Sequence, residues 1–169
     1  MRYRPEPMQV LVVICAVAAL SVAGSADGAR SSCKLIVPGK SLACVSIGMT
    51  QAQVRSVAGK PRATTKVAGC CGRILTFVYP QFTVSFLGPK FRKVSWVTSM
   101  SRLYRTATGV GVGSTKAQLL AGIKGIRCGV FGLAKTFCIA GKALNDPKQT
   151  FFGLGTGRVD WVRLGFQPE

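Results

Sequence analysis

Seven cysteines, five carboxylates and no histidine are the groups in this 169-residue chain that could carry chemistry. The absence of histidine removes the commonest general base, and with it any Ser-His or Cys-His nucleophile. Asp146 stands in an Asn-Asp-Pro turn signal and Asp160 between Val159 and Trp161 in a strand pattern. They form the one carboxylate combination that could act as a glycosidase-like pair, which must converge within about 10 Å; a turn residue and a strand residue are the plainer readings. Gly109–Lys116, GVGVGSTK, has a phosphate loop's composition, but its Lys follows the Ser-Thr where the motif needs it before. Gly153–Gly157, GLGTG, reads as a hairpin turn. The inventory therefore describes a protein that is not an enzyme, with no catalytic residues, no cofactor and no small-molecule substrate.

The cysteines acquire a meaning from the N-terminus. Arg2 and Arg4 precede an apolar run from Val10 to Val22, and small residues follow from Ala23 to Ala29. The run suits a signal-peptide h-region and falls short of the roughly 20 residues that span a bilayer. Residues 1–29 thus read as a signal peptide, cleaved between Ala26 and Ala29, and Cys15 as part of its apolar core. The expected destination is secretion or the cell envelope. In an oxidising compartment the remaining Cys33, Cys44, Cys70, Cys71, Cys128 and Cys138 read as disulfide partners. Two short strands turning around Gly132 would put Cys128 opposite Cys138, and Cys33 with Cys44 is the next pairing. Cys70 and Cys71 are left to bridge each other or to join the N-terminal cysteines in another pattern. Zinc usually brings histidine or two Cys-x-x-Cys arms, and this chain has neither, so no metal is expected.

The elements that would position these residues are marked by two related phrases. Gly48, Thr50, Ala52, Gln53 and Val54 correspond, at one constant offset, to Gly113, Thr115, Ala117, Gln118 and Leu119, and Trp96 to Trp161 at the same offset. Thr50 with Gln53, and Thr115 with Gln118, have the spacing of a helix-opening capping box. Met49 is placed to staple onto Val54, while Gly59 and Pro61 end the first helix after about two turns. The stretches Arg73–Tyr79, Phe82–Phe86 and Lys93–Val97 are rich in β-branched and aromatic residues. Phe82, Val84 and Phe86 alternate with Thr83 and Ser85, as on a strand with one core face and one wet face. KTFCI, QTFF and RVDWV repeat this plan. The pattern predicts an α+β fold of two tandem repeats, 30–102 and 103–169. Each would pack short helices on one face of a small antiparallel β-sheet, with the two sheets free to join.

Ile47, Gly48, Met49, Thr50, Gln53, Val54, Gly59 and Pro61 resemble the signature of the BamE (SmpA/OmlA) family. That resemblance implies two helices on a three-stranded antiparallel sheet in each unit, and a tandem of such units resembles the beta-lactamase inhibitory protein architecture. The second stretch departs from the signature at Lys124 and Ile126. No lipobox cysteine is visible, which argues against a role in outer-membrane barrel assembly, and no inhibitory contact residue maps onto this chain.

Lys and Arg number 23 against 5 acids, a formal net charge of +18. The local clusters are Lys90, Arg92 and Lys93; Arg102 and Arg105; and Lys60 and Arg62. Such scatter makes a generally positive surface that a polyanion feels at long range, not a shaped nucleic-acid groove. Two functions follow as expectations. One is a non-catalytic binding protein adhering through its charge to an anionic envelope polymer or lipid surface. The other is an inhibitor-like protein docking on a secreted enzyme through an aromatic sheet surface with Tyr79, Tyr104, Phe131 and Phe152, provided those rings are exposed.

Overall fold

The computed structural model describes residues 33–69, 72–131, 135–141 and 148–165. The expected leader at 1–29, Cys70, Cys71 and Asp146 lie outside them. In chain order the elements are β1 (Ile36–Val37), β2 (Ser41–Leu42), α1 (Gln51–Ala58), β3 (Ala63–Gly69), β4 (Gly72–Val78), β5 (Thr83–Leu87) and β6 (Val94–Ser99). There follow α2 (Lys116–Gly122), β7 (Arg127–Phe131), β8 (Lys135–Ala140), β9 (Thr150–Leu154) and β10 (Val159–Gly165).

Both helices open where the spacing places them. Thr50 (φ −77°, ψ 163°) and Thr115 (φ −78°, ψ 163°) are extended N-caps, and each completes a capping box with the glutamine three residues on. The Thr50 N–H donates to Gln53 Oε1 at 2.8 Å and the Gln53 N–H to Thr50 Oγ1 at 3.3 Å. The Thr115 cap repeats this at 2.9 and 3.2 Å. Gly59 ends α1 at φ 79°, a conformation that favours glycine. Helices this short are not stable alone; each is docked through one fully buried side chain, Val54 or Leu119. Thr115→Ala, which deletes one cap acceptor, is expected to cost about 1 kcal/mol, read as a lower urea midpoint.

The larger sheet has eight strands in the order β3-β4-β5-β6-β10-β9-β8-β7, and β1 and β2 form a separate pair. All recorded strand pairs are antiparallel. The middle of the large sheet is the pairing of β6 with β10, which sets Ser99 opposite Val162 and Trp96 opposite Gly165. Gly165 adopts φ 120°, and a Cβ there would run into the Ser95 carbonyl and the Trp96 backbone. Glycine is what lets these two strands approach.

This architecture corrects the expectation of two tandem repeats, each with its own small sheet. β6 and β10 would be exposed edges in separate sheets, and pairing them removes that liability. The expected number of helices is also corrected, since among the described residues each half holds one. Residues 33–46 instead form β1, β2 and turns around Pro38 and Gly39, and 102–114 is a run of turns with Gly109 at φ 78° and Gly113 at φ 89°. Such Gly- and Pro-punctuated segments do not sustain a helix.

The main core lies between the helices and one face of the sheet. It joins Val54 and Leu119 to Phe77, Phe86, Val97, Phe152, Val162 and Leu164, and it also takes in Ile36 and Leu42. A smaller cluster of Phe137, Ile139 and Phe151, with Trp161 against it, contains no helix residue. Ser85, expected on a wet face, is 3% exposed and shares a 3.0 Å hydrogen bond with Thr76. Thr83 on the same face is only half-buried, so the burial is local to Ser85, which sits between Thr76 and Trp96 in the sheet register.

Two disulfides close the described chain, Cys33–Cys44 and Cys128–Cys138. The register of β7 and β8 puts Cys128 directly opposite Cys138. Such bonds persist in oxidising, extracytoplasmic compartments. No described helix is long and apolar enough to cross a membrane.

Candidate functional site

Three arginines from two separate turns meet beside the glycine-rich loop before α2. Arg102, Arg105 and Arg158, with Thr108, Ser114 and Gln118, line a polar cavity of about 780 Å³. No described carboxylate lines it.

The arginines are held by different means. Arg105 Nε donates to the Arg102 carbonyl at 3.1 Å, and its Nη1 donates to Ser114 Oγ at 3.3 Å and to the Gly109 carbonyl at 3.5 Å. Arg158 Nη1 donates to the Gly113 carbonyl at 3.0 Å. Arg102 lies along Gly113, its Nε 3.3 Å from where a Cβ would stand. A guanidinium carries five N–H donors, so each arginine keeps donors beyond those that anchor it. Gln118 engages its Oε1 in the cap of α2 and brings its amide N–H groups to the cavity wall as donors.

The loop itself does not offer a backbone cradle. The N–H groups of Gly109, Gly113 and Ser114 donate to the carbonyls of Thr106, Val159 and Gly111. Those of Val110 and Gly111 donate to Thr106 Oγ1 and Ser114 Oγ. With these donors committed to the fold, an anion in the cavity would be met by side chains. Arg158 escaped the sequence reading because it belongs to the turn between β9 and β10, far along the chain from Arg102 and Arg105.

The other basic candidates do not join this cavity. Lys60 and Arg62 are exposed between α1 and β3, and Lys90, Arg92 and Lys93 are exposed between β5 and β6.

The aromatic candidates fall differently from the expectation of an exposed surface. Tyr79 is 6%, Tyr104 8% and Phe152 0% exposed. Tyr79 stacks on Phe82 with ring centroids 4.6 Å apart, and Tyr104 meets the same ring edge-on at 5.9 Å. The Tyr79 hydroxyl donates to the Gly59 carbonyl at 3.1 Å. Burial pushes the pKa of both tyrosines up. These rings fill the core because large apolar groups gain most by leaving water. The Phe131 side chain lies outside those described.

Partly exposed aromatics sit on the sheet instead, away from the helices. The Arg163 guanidinium lies 5.9 Å from the Trp96 ring and 5.8 Å from the Trp161 ring, and its Nε donates to Thr98 Oγ1 at 3.0 Å. Burial beside these rings lowers the Arg163 pKa. Trp161 continues the strip onto Phe137, Ile139 and Phe151. In the sequence the two tryptophans served only as markers of the offset, although their residue type favours interfaces.

No protein-family model and no curated protein matches the sequence. With one helix in each half among the described residues and a continuous eight-stranded sheet, the BamE resemblance drawn from Ile47–Pro61, and the tandem built on it, is not upheld. Solved structures are similar in part. A DUF4309 family protein (YjgB) from Bacillus subtilis is 15% identical over 70% of this chain and 78% of that chain, with a TM-score of 0.44. An extracellular protein containing an SCP domain from Bacillus anthracis is 12% identical over 70% and 43%, with a TM-score of 0.44. A cysteine-rich secretory protein from Staphylococcus aureus is 10% identical over 77% and 47%, with a TM-score of 0.43. The match spans less than half the length of the last two proteins.

Proposed function

We propose that this chain is a secreted, non-catalytic binding protein that adheres to anionic cell-envelope material. The observation that carries the reading is the convergence of Arg102, Arg105 and Arg158 on a cavity that no described carboxylate lines. The net charge of +18 draws polyanions toward the protein, and the cavity gives them a fixed place to bind. The disulfides support an extracytoplasmic setting.

The test is binding of the oxidised chain to its own envelope fraction with salt varied. Counterion release at three phosphate contacts gives a drop of about 20- to 40-fold between about 50 and 200 mM salt. Affinity that is flat across that range would sink the reading. A second reading, docking on a secreted protein through the sheet, is favoured by the Trp96–Arg163–Trp161 strip. It expects salt-resistant, saturable capture that Trp96→Ala abolishes in the same assay, because desolvated aromatic anchors carry interface energy.

A further inference from the structure

We infer that the cavity of Arg102, Arg105 and Arg158 is a receptor for one phosphate monoester group, the recognised unit of the anionic material. This rests on the adhesion reading above and narrows it from charge to chemistry.

The number of donors selects among anions. A carboxylate presents two oxygens and one charge, which a single guanidinium satisfies through two parallel N–H bonds. A phosphodiester also has two free oxygens and one charge. A monoester has three free oxygens and close to two charges at neutral pH. Three guanidinium groups therefore exceed what a carboxylate or a diester needs and match a monoester.

The surroundings point the same way. Ser114 Oγ already accepts from the Gly111 N–H and from Arg105, so its hydroxyl hydrogen is available to donate. The Gln118 Oε1 is engaged by the Thr115 N–H, and its amide N–H groups add donors at the cavity wall. Arg105 is pre-set by three contacts to Arg102, Gly109 and Ser114, which lowers the ordering cost of binding. Arg102 and Arg158 are exposed where they line the cavity, so their remaining N–H donors are open to a ligand. The glycines complete the arrangement, since φ 89° at Gly113 and the nearness of Arg102 both exclude a side chain there.

The experiment titrates the full oxidised chain with methyl phosphate, dimethyl phosphate and acetate by calorimetry. Methyl phosphate is expected to bind at least about tenfold more tightly than the other two, the worth of one further charge-assisted hydrogen bond. Its affinity is expected to rise as pH passes upward through about 6, where the second proton leaves the monoester, while dimethyl phosphate shows no such rise. Arg102→Ala, which removes no loop hydrogen bond, and Arg158→Ala, which removes the one to Gly113, are each expected to lose about tenfold for methyl phosphate. Unfolding curves establish that both variants fold.

Equal affinity for the three probes, or no loss in either folded variant, overturns the proposal. If methyl phosphate fails to bind while the envelope fraction still binds with a steep salt dependence, the monoester assignment is wrong and the adhesion reading stands. If the envelope fraction fails as well, both fall. Vesicles bearing phosphatidic acid and soluble glucose 6-phosphate then separate a lipid source from a soluble or polymer-borne one.

Discussion

Gly153→Ala is expected to lower stability by about 1–3 kcal/mol, the usual cost of forcing volume into a packed site. Gly153 on β9 lies directly opposite Trp161 on β10, and a Cβ at this position would fall within the indole ring. The glycine does not have a positive φ, so the backbone accepts alanine and the cost is steric alone. Trp161 must leave its seat on Phe137, Ile139 and Phe151 and move relative to Arg163. The readouts are a lower urea midpoint and a red-shifted tryptophan emission. A double-mutant cycle isolates the cause. In a Trp161→Ala background there is no ring to displace, so Gly153→Ala should lose most of its cost, a coupling of about 1 kcal/mol or more. Additive costs would show that the ring contact is not the origin.

Contacts within one turn were legible in the sequence, and contacts between distant segments were not. Thr50 with Gln53 and Thr115 with Gln118 were legible because a capping box is local: its donors and acceptors lie within one turn. Strand positions were legible from β-branched and aromatic runs, and Cys128 facing Cys138 from a short hairpin. That the two sheets could join was left open by the pattern, but the β6–β10 seam could not be placed from it, because it is a long-range pairing enabled by Gly165, whose role depends on Trp96 far away in the chain. The same limit hid Arg158, an isolated basic residue until the β9–β10 turn brings it to Arg102 and Arg105. Charge clusters along the chain do not by themselves show which basic residues share a cavity. They named Lys60, Arg62, Lys90, Arg92 and Lys93, which the fold leaves in separate loops. The aromatic reading failed for a different reason. Residue type cannot tell an anchor that faces a partner from one that faces the core, and Tyr79, Tyr104 and Phe152 face the core.

The double replacement Cys128→Ala with Cys138→Ala is expected to cost about 2–4 kcal/mol. Part of this is the chain entropy released when a short loop is no longer closed in the unfolded state. The rest is packing, since Cys138 is fully buried in the main core and Cys128 rests against it. The bond also ties down an outermost strand, because β7 is paired to β8 alone. Amide exchange should therefore rise first along β7, while β4 and β5 at the other end of the sheet keep their protection until global unfolding. Loss of protection spread evenly over the sheet would show that β7 has no independent stability for the bond to control. No residue of β7 lines the arginine cavity. Under conditions where the variant stays folded, its affinity for envelope material should match that of the parent chain. The bond would then bear on stability alone, and the arginine cavity on the proposed binding alone.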